Sequence, residues 1–167
     1  SGNLLPAATD HGIYLGVSSA TSANLLDDFE FGTWTPTIGN NAGNETMTLN
    51  STYSGTDKAF YTKVGRMVHI HGYIIVSGNG THTNSSTYLG GLPFAVKSGD
   101  SGYSSLSVGY AASLDVSAGH NMGGYARVNN SNIALWLSDT ATGGSVIQRD
   151  EISSNGEFIF SLTYSTN

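Results

Sequence analysis

Residues Phe60 to Ser77 read FYTKVGRMVHIHGYIIVS, and the alternation in this stretch decides the fold class. Gly65 either divides it into two strands or bends one long strand. From Met67 onward, Val68, Ile70, Ile74 and Val76 fall on one side, because successive side chains of a strand point to opposite faces. That set is purely apolar apart from Gly72 and must face a core. Met67, His69, His71, Tyr73 and Ile75 fall on the other side. They are too apolar for a freely solvated face and too polar for a core, the composition expected of a surface covered by another subunit.

The same reading extends along the chain. Gly78-Asn79-Gly80 is a turn, and Tyr88 to Val96 is a compact apolar run broken by Pro93. Leu106, Val108 and Tyr110 alternate with Ser105, Ser107 and Gly109. Met122, Ala126 and Val128 share one parity, and Tyr125 and Arg127 take the other. Ile133, Leu135 and Leu137 have core parity, which turns Trp136 to the opposite face. Asn155-Gly156 predicts a hairpin turn, and Phe158, Phe160, Leu162 and Tyr164 point inward from the last strand. Upstream, Thr33 to Ile38 predicts a first strand, with Pro36 placing it at an edge or bulge because proline has no N–H to donate. About ten short strands without a helical window predict an all-β two-sheet sandwich or barrel. No fixed period supports a β-helix or propeller.

Composition narrows the function classes. The chain has 167 residues, 22 of them Gly, with 11% charged and 10% aromatic residues, which suits a packed β-domain and argues against disorder. Net charge is −6 with six Lys and Arg. No basic stripe exists to displace counterions from phosphates, so nucleic-acid binding is excluded, and an anionic membrane surface is disfavoured for the same reason. No apolar run is long enough to span a bilayer as a helix, and no signal peptide is apparent. With no Cys, disulfides and thiolate metal sites are absent. Stability must come from burial or from oligomerisation. The chain begins with Ser, which points to a fragment or processed product of something longer.

Leu25 to Thr37, LLDDFEFGTWTPT, is a junction: an acidic cluster (Asp27, Asp28, Glu30) meets the aromatic residues Phe29, Phe31 and Trp34. Residues 1–24 have no sustained period and are interrupted by Pro6, Gly12 and Gly16, so they read as a linker segment. Residues 25–167 form the main domain.

The junction sequence resembles the entry to C-terminal head domains in fibre and appendage proteins of tailed bacteriophages. Tyr61-Thr62-Lys63-Val64-Gly65-Arg66-Met67-Val68, Gly91-Leu92-Pro93-Phe94-Ala95 and the closing Phe160 to Thr166 resemble further segments of those domains, in the right order. The resemblance implies a jelly-roll-like β-sandwich assembled as a homotrimer on the end of an upstream fibre shaft. It implies a virion component on the particle exterior that attaches to a host cell-surface receptor, carbohydrate or protein, without catalysis or cofactor. The alternatives are a capsid-borne head-decoration fibre without a specific receptor and a fragment of a polysaccharide-degrading tailspike. On this reading Phe29, Phe31 and Trp34 form a packed collar, and His69, His71 and Tyr73 lie in subunit contacts. His69 and His71 depart from the Thr, Val or Tyr more usual in relatives.

His69-x-His71 sets two imidazoles about 7 Å apart on one strand face. The main reading is a pair of interface histidines; metal ligation on a threefold axis is the lesser one. Gly99-Asp100-Ser101-Gly102 matches a serine-protease tetrapeptide without a His in a matching context, so it is read as accidental. Asp150 and Glu151 near a turn are solvated surface rather than a glycosidase pair. Tyr103, Tyr125 and Trp136, with Arg127, form the candidate ligand-binding set, since outward aromatic faces beside polar side chains stack on sugars; packing in the trimer interface is the favoured use of these aromatic residues, because Trp136 is costly to leave exposed.

Overall fold

A computed structural model of the chain describes residues 13–14, 16, 25–26, 28–51, 59–83, 85–139, 141 and 143–167. The described residues form strands with two short 3-10 turns and no α-helix. In chain order the strands are β1 (Ile13–Tyr14), β2 (Leu25–Leu26), β3 (Phe29–Thr33), β4 (Thr37–Gly39), β5 (Thr48–Leu49), β6 (Ala59–Val64) and β7 (Met67–Gly78). They continue with β8 (Tyr88–Gly90), β9 (Ser104–Leu114), β10 (Asn121–Ala126), β11 (Asn132–Asp139), β12 (Gly143–Val146) and β13 (Ile152–Ser165). The pair β1–β2 stands apart as a two-stranded ribbon. Most of the proposed 1–24 segment, and Asp27, lie outside the described residues.

The other strands form one antiparallel sheet in the order β3-β6-β7-β13-β9-β10-β11-β8-β4, with β12 added on β11 and β5 on β7. Its β4 end curls back to β7. Gly39 bridges Thr46, the Met47 N–H donates to the Ile38 carbonyl at 2.7 Å, and β5 then pairs with β7 at Thr48↔Gly78 and Leu49↔Val76. The expected all-β class is present, but its hydrogen bonding runs through a single curled sheet rather than two separate ones. Strand twist, increased by bulges along β13, lets one sheet wrap its own core.

Inward residues are those the alternation predicts. Val68, Ile70, Ile74 and Val76 on β7, Ile133, Leu135 and Leu137 on β11, and Phe158, Phe160, Leu162 and Tyr164 on β13 are all buried. Each such side chain contributes roughly 1.5–3 kcal/mol by leaving water. Burial also pushes the Tyr164 phenol up to about 12, and its hydroxyl donates to the Phe94 carbonyl at 3.0 Å. Gly65 divides Phe60–Ser77 into the β6–β7 hairpin: it has a φ of +55°, and its flanking residues Val64 and Met67 face each other. That left-handed conformation is cheap only for glycine.

Four expectations need correction. Thr33 to Ile38 is not one strand; residues 34–36 interrupt it, consistent with Pro36 lacking a ladder donor. Asn155-Gly156 makes no hairpin, because β13 continues through it and the extra residues are taken up as an irregularity against β9 between Ile152 and Glu157. Tyr110 does not follow Leu106 inward. Phe160 pairs with Val108 and Ile159 with Tyr110, so Gly109 is an extra residue that reverses the parity of everything after it. Trp34 does not join Phe29 and Phe31 on the surface: it is 5% exposed and meets Phe160 edge-on, with ring centroids 6.2 Å apart. Residues 29 and 31 share a parity that 34 does not, a signal present in the sequence itself.

Candidate functional site

The outer surface of the curled sheet carries two faces of different chemistry. On the first, β3, β6, β7, β13 and β9 align Phe31 with Thr62, Phe60 with His71, Val64 with Met67, and Ile159 with both Tyr73 and Tyr110. Among the described residues, nine large hydrophobic side chains are exposed, and Phe29, Phe31, Phe60, Val64, Met67, Tyr110 and Ile159, seven of them, lie on this face. Phe31 is 75% exposed and Phe29 60%. His71 stacks on Phe60 with centroids 5.4 Å apart, and His69 is hydrogen-bonded through Nδ1 to the Thr163 hydroxyl at 3.0 Å. The two imidazoles are 6.0 Å apart. Both rings thus have neighbours of their own within the face.

Glu157 is the acidic group of this face. The hydroxyls of Tyr73 and Tyr110 both donate to its carboxylate, the latter at 2.8 Å. Those bonds, Tyr73 first, hold the carboxyl below its ordinary range. The shared proton pushes the Tyr110 phenol up. Tyr73 reaches this group by alternation, as read from sequence; Tyr110 reaches it only through the bulge.

The second face lies over β10, β11 and β8. It brings the four predicted ligand-binding residues into one neighbourhood. Tyr125 lies between Tyr103 and Trp136, with ring centroids 6.0 Å from each. Tyr125 pairs across the sheet with Ala134, and Ala134 with Tyr88. The Arg127 guanidinium sits over the Tyr88 ring, 4.9 Å from its centroid, and its Nη1 donates to Asn41 Oδ1 and, at 3.3 Å, to Asn132 Oδ1. Asn132 Nδ2 donates to the Asn41 carbonyl at 3.2 Å. Trp136 lies flat across β12 because residue 144 is Gly: a Cβ there would stand 2.1 Å from the indole Nε1. Gly144→Ala should therefore displace Trp136 and raise its fluorescence quenching by iodide, and it should lower the melting temperature as well, because the same Cβ would stand 2.4 Å from the Leu137 carbonyl oxygen.

Beside this aromatic row a cleft of about 210 Å³ is lined by Asn40, Asn41, Tyr88, Asn130 and Asn132, among others. Tyr88, Asn41 and Asn132 are the residues that sequence reading missed. Tyr88 has the parity opposite to buried Leu89 but stands within an apolar run that hides it; the asparagines come from the β4–β5 loop and the start of β11, which only the sheet order brings together.

Elsewhere the acidic junction has a structural explanation. Lys63 is buried at the inner parity of β6, and its ammonium pairs with Asp28 and lies 5.3 Å from the Phe94 centroid. Asp100 to Gly102, within the serine-protease-like tetrapeptide, form a 3-10 turn.

His82 sits in the turn beside the cleft. It is buried, shares a hydrogen bond at 3.0 Å with the Thr87 hydroxyl, and lies 3.7 Å from the Glu45 carboxylate. Burial pulls its pKa below 6.5, with Glu45 opposing. The unfolded chain therefore binds this proton first, and stability is full above about pH 6.5 and falls as pH drops below it. The urea midpoint should decline from pH 7.5 to 5.5, and His82→Gln should flatten that decline.

No family model and no curated protein sequence matches the chain. Its fold is similar to that of the Dettilon tailspike protein in its crystal structure, with a TM-score of 0.66 at 17% identity. The match covers 83% of this chain and 24% of that one, so the chain spans about a quarter of the tailspike's length. At this identity the likeness concerns the fold: a curled antiparallel sheet that also occurs as one part of a phage tailspike.

Proposed function

We infer that the chain is the head domain of a bacteriophage tail appendage, a structural virion component that assembles as a homotrimer and attaches the particle to the host surface without catalysis. The observation that carries this reading is the segregation of the outer surface. Seven of the nine exposed large hydrophobics among the described residues lie on one sheet face, and monomeric proteins rarely leave contiguous apolar patches beyond a few hundred Å² uncovered. A covering subunit of the same chain explains that face, including His69, His71 and Tyr73. The fold likeness to a tailspike supports the virion setting. The aromatic, Asn-rich face is then the surface left for a receptor, where several weak sites on one trimer gain by valency.

Light scattering on the purified chain at micromolar concentration should give three times the 17.4 kDa chain mass. A stable monomer would contradict the assembly. The isolated head should also compete with phage for adsorption to host cells. Trp136→Ala should weaken that competition about tenfold while leaving the mass unchanged, since one aromatic plate is worth about 1 kcal/mol or more.

A further inference from the structure

The geometry around Arg127 narrows the receptor to a chemical class; this step rests on the attachment reading above. Arg127 has five N–H donors. The two on Nη1 face Asn41 and Asn132. Among the described residues nothing accepts a hydrogen bond from the remaining edge, formed by Nε and Nη2, and no carboxylate pairs with this guanidinium. That is unusual in a chain whose acidic residues outnumber its basic ones two to one. The Nε–Nη2 edge is also the one that binds a carboxylate through two parallel hydrogen bonds. Tyr88 under the guanidinium and the two asparagines fix its plane, so little side-chain freedom remains to be lost when an anion docks.

The surroundings suit a sugar rather than a bare anion. Tyr125 stands two residues before Arg127, which follows directly on the end of β10, and by alternation on the same side, about 7 Å away, roughly the reach of one pyranose ring with its substituents. Trp136 and Tyr103 extend the aromatic row beyond it. On the other side, the cleft lined by Asn40, Asn41, Asn130 and Asn132 offers amides to hydroxyl groups. The chain's net charge of −6 works against an acidic polymer at long range, but that repulsion is screened beyond about 8 Å at physiological salt, whereas the guanidinium acts in contact.

We propose that this face recognises a carboxylate-bearing sugar, with the uronate carboxyl on the Nε–Nη2 edge of Arg127 and adjoining sugar rings against Tyr125 and Trp136. The test is calorimetric titration of the intact protein with galacturonate, glucuronate and mannuronate oligosaccharides, each beside its carboxyl-reduced neutral counterpart. At least one acid should bind at least about tenfold more tightly than its reduced partner. Arg127→Lys keeps the charge but lacks the fork, and should lose about tenfold toward that acid with its melting temperature and mass unchanged. Equal affinity for the acid and its reduced form would overturn the proposal, as would full binding by Arg127→Lys. If no uronate binds while the protein still blocks phage adsorption, the acidic-sugar class falls and the attachment reading stands. The comparison of acid with reduced sugar needs no variant, so a misfolded substitution does not shield the proposal.

Discussion

Trp34→Ala is expected to lower the stability of the single subunit by about 3–5 kcal/mol, the usual cost of emptying a large aromatic site in a core. Trp34 is 5% exposed and packs edge-on against Phe160, which lies on the central strand β13. Just after β3 its backbone N–H donates to the Ala59 carbonyl at 3.0 Å, so the ring is held from both ends. One feature lowers the expected value within that range: the indole N–H is buried without a partner among the described residues, and its removal relieves a desolvation cost. Urea denaturation of a monomeric background measures the effect. Phe31→Ala is the contrast, because that ring is 75% exposed and its loss should change subunit stability by under about 0.5 kcal/mol. Equal losses for the two variants would mean that Trp34 is a surface collar after all.

Ile159→Asp is expected to convert the proposed trimer to single chains. Ile159 stands at the middle of the apolar face, between Tyr73 and Tyr110 on the neighbouring strands, and is 46% exposed in one chain. In a lone subunit the new carboxylate stays solvated, and the cost is the strand preference of Ile over Asp, about 1 kcal/mol. In an assembly that covers this face, each copy would bury an unpaired charge beside Glu157, at several kcal/mol per charge. Light scattering should fall to the 17.4 kDa chain mass. Ile159→Thr, which keeps the β-branched shape without charge, should remain assembled. A trimer that survives Ile159→Asp would place the subunit contacts on another face.

Much of the fold was legible because strand periodicity is local. The core set on β7, β11 and β13 followed from alternation alone, as did the outward placement of His69, His71, Tyr73, Tyr125, Arg127 and Trp136. What alternation misses is a change of phase. Gly109 adds one residue against β13, and from there Tyr110 belongs to the outer face, where it meets Glu157. Nothing in Ser107-Val108-Gly109-Tyr110 distinguishes a bulge from a regular strand carrying a glycine, since the extra residue is defined by its partner strand. The misplacement of Trp34 had the opposite origin: the parity of 29, 31 and 34 was readable, and the density of aromatics obscured it.

Residue pattern by itself determined that the chain is all-β and which side of each regular strand is apolar, because a period of two separates the faces wherever a strand runs. Only the tertiary structure decided what those faces become. Hydrogen bonding from Gly39–Thr46 through β5 to β7 returns the sheet on itself, turning two expected layers into one curled sheet. The pairing of β4 with β8 and of β8 with β11 gathers Asn41, Tyr88 and the Arg127–Asn132 hairpin from three separate parts of the chain around one guanidinium. Contacts between residues up to 91 positions apart depend on sheet order and register, and neither is written in any local stretch of sequence.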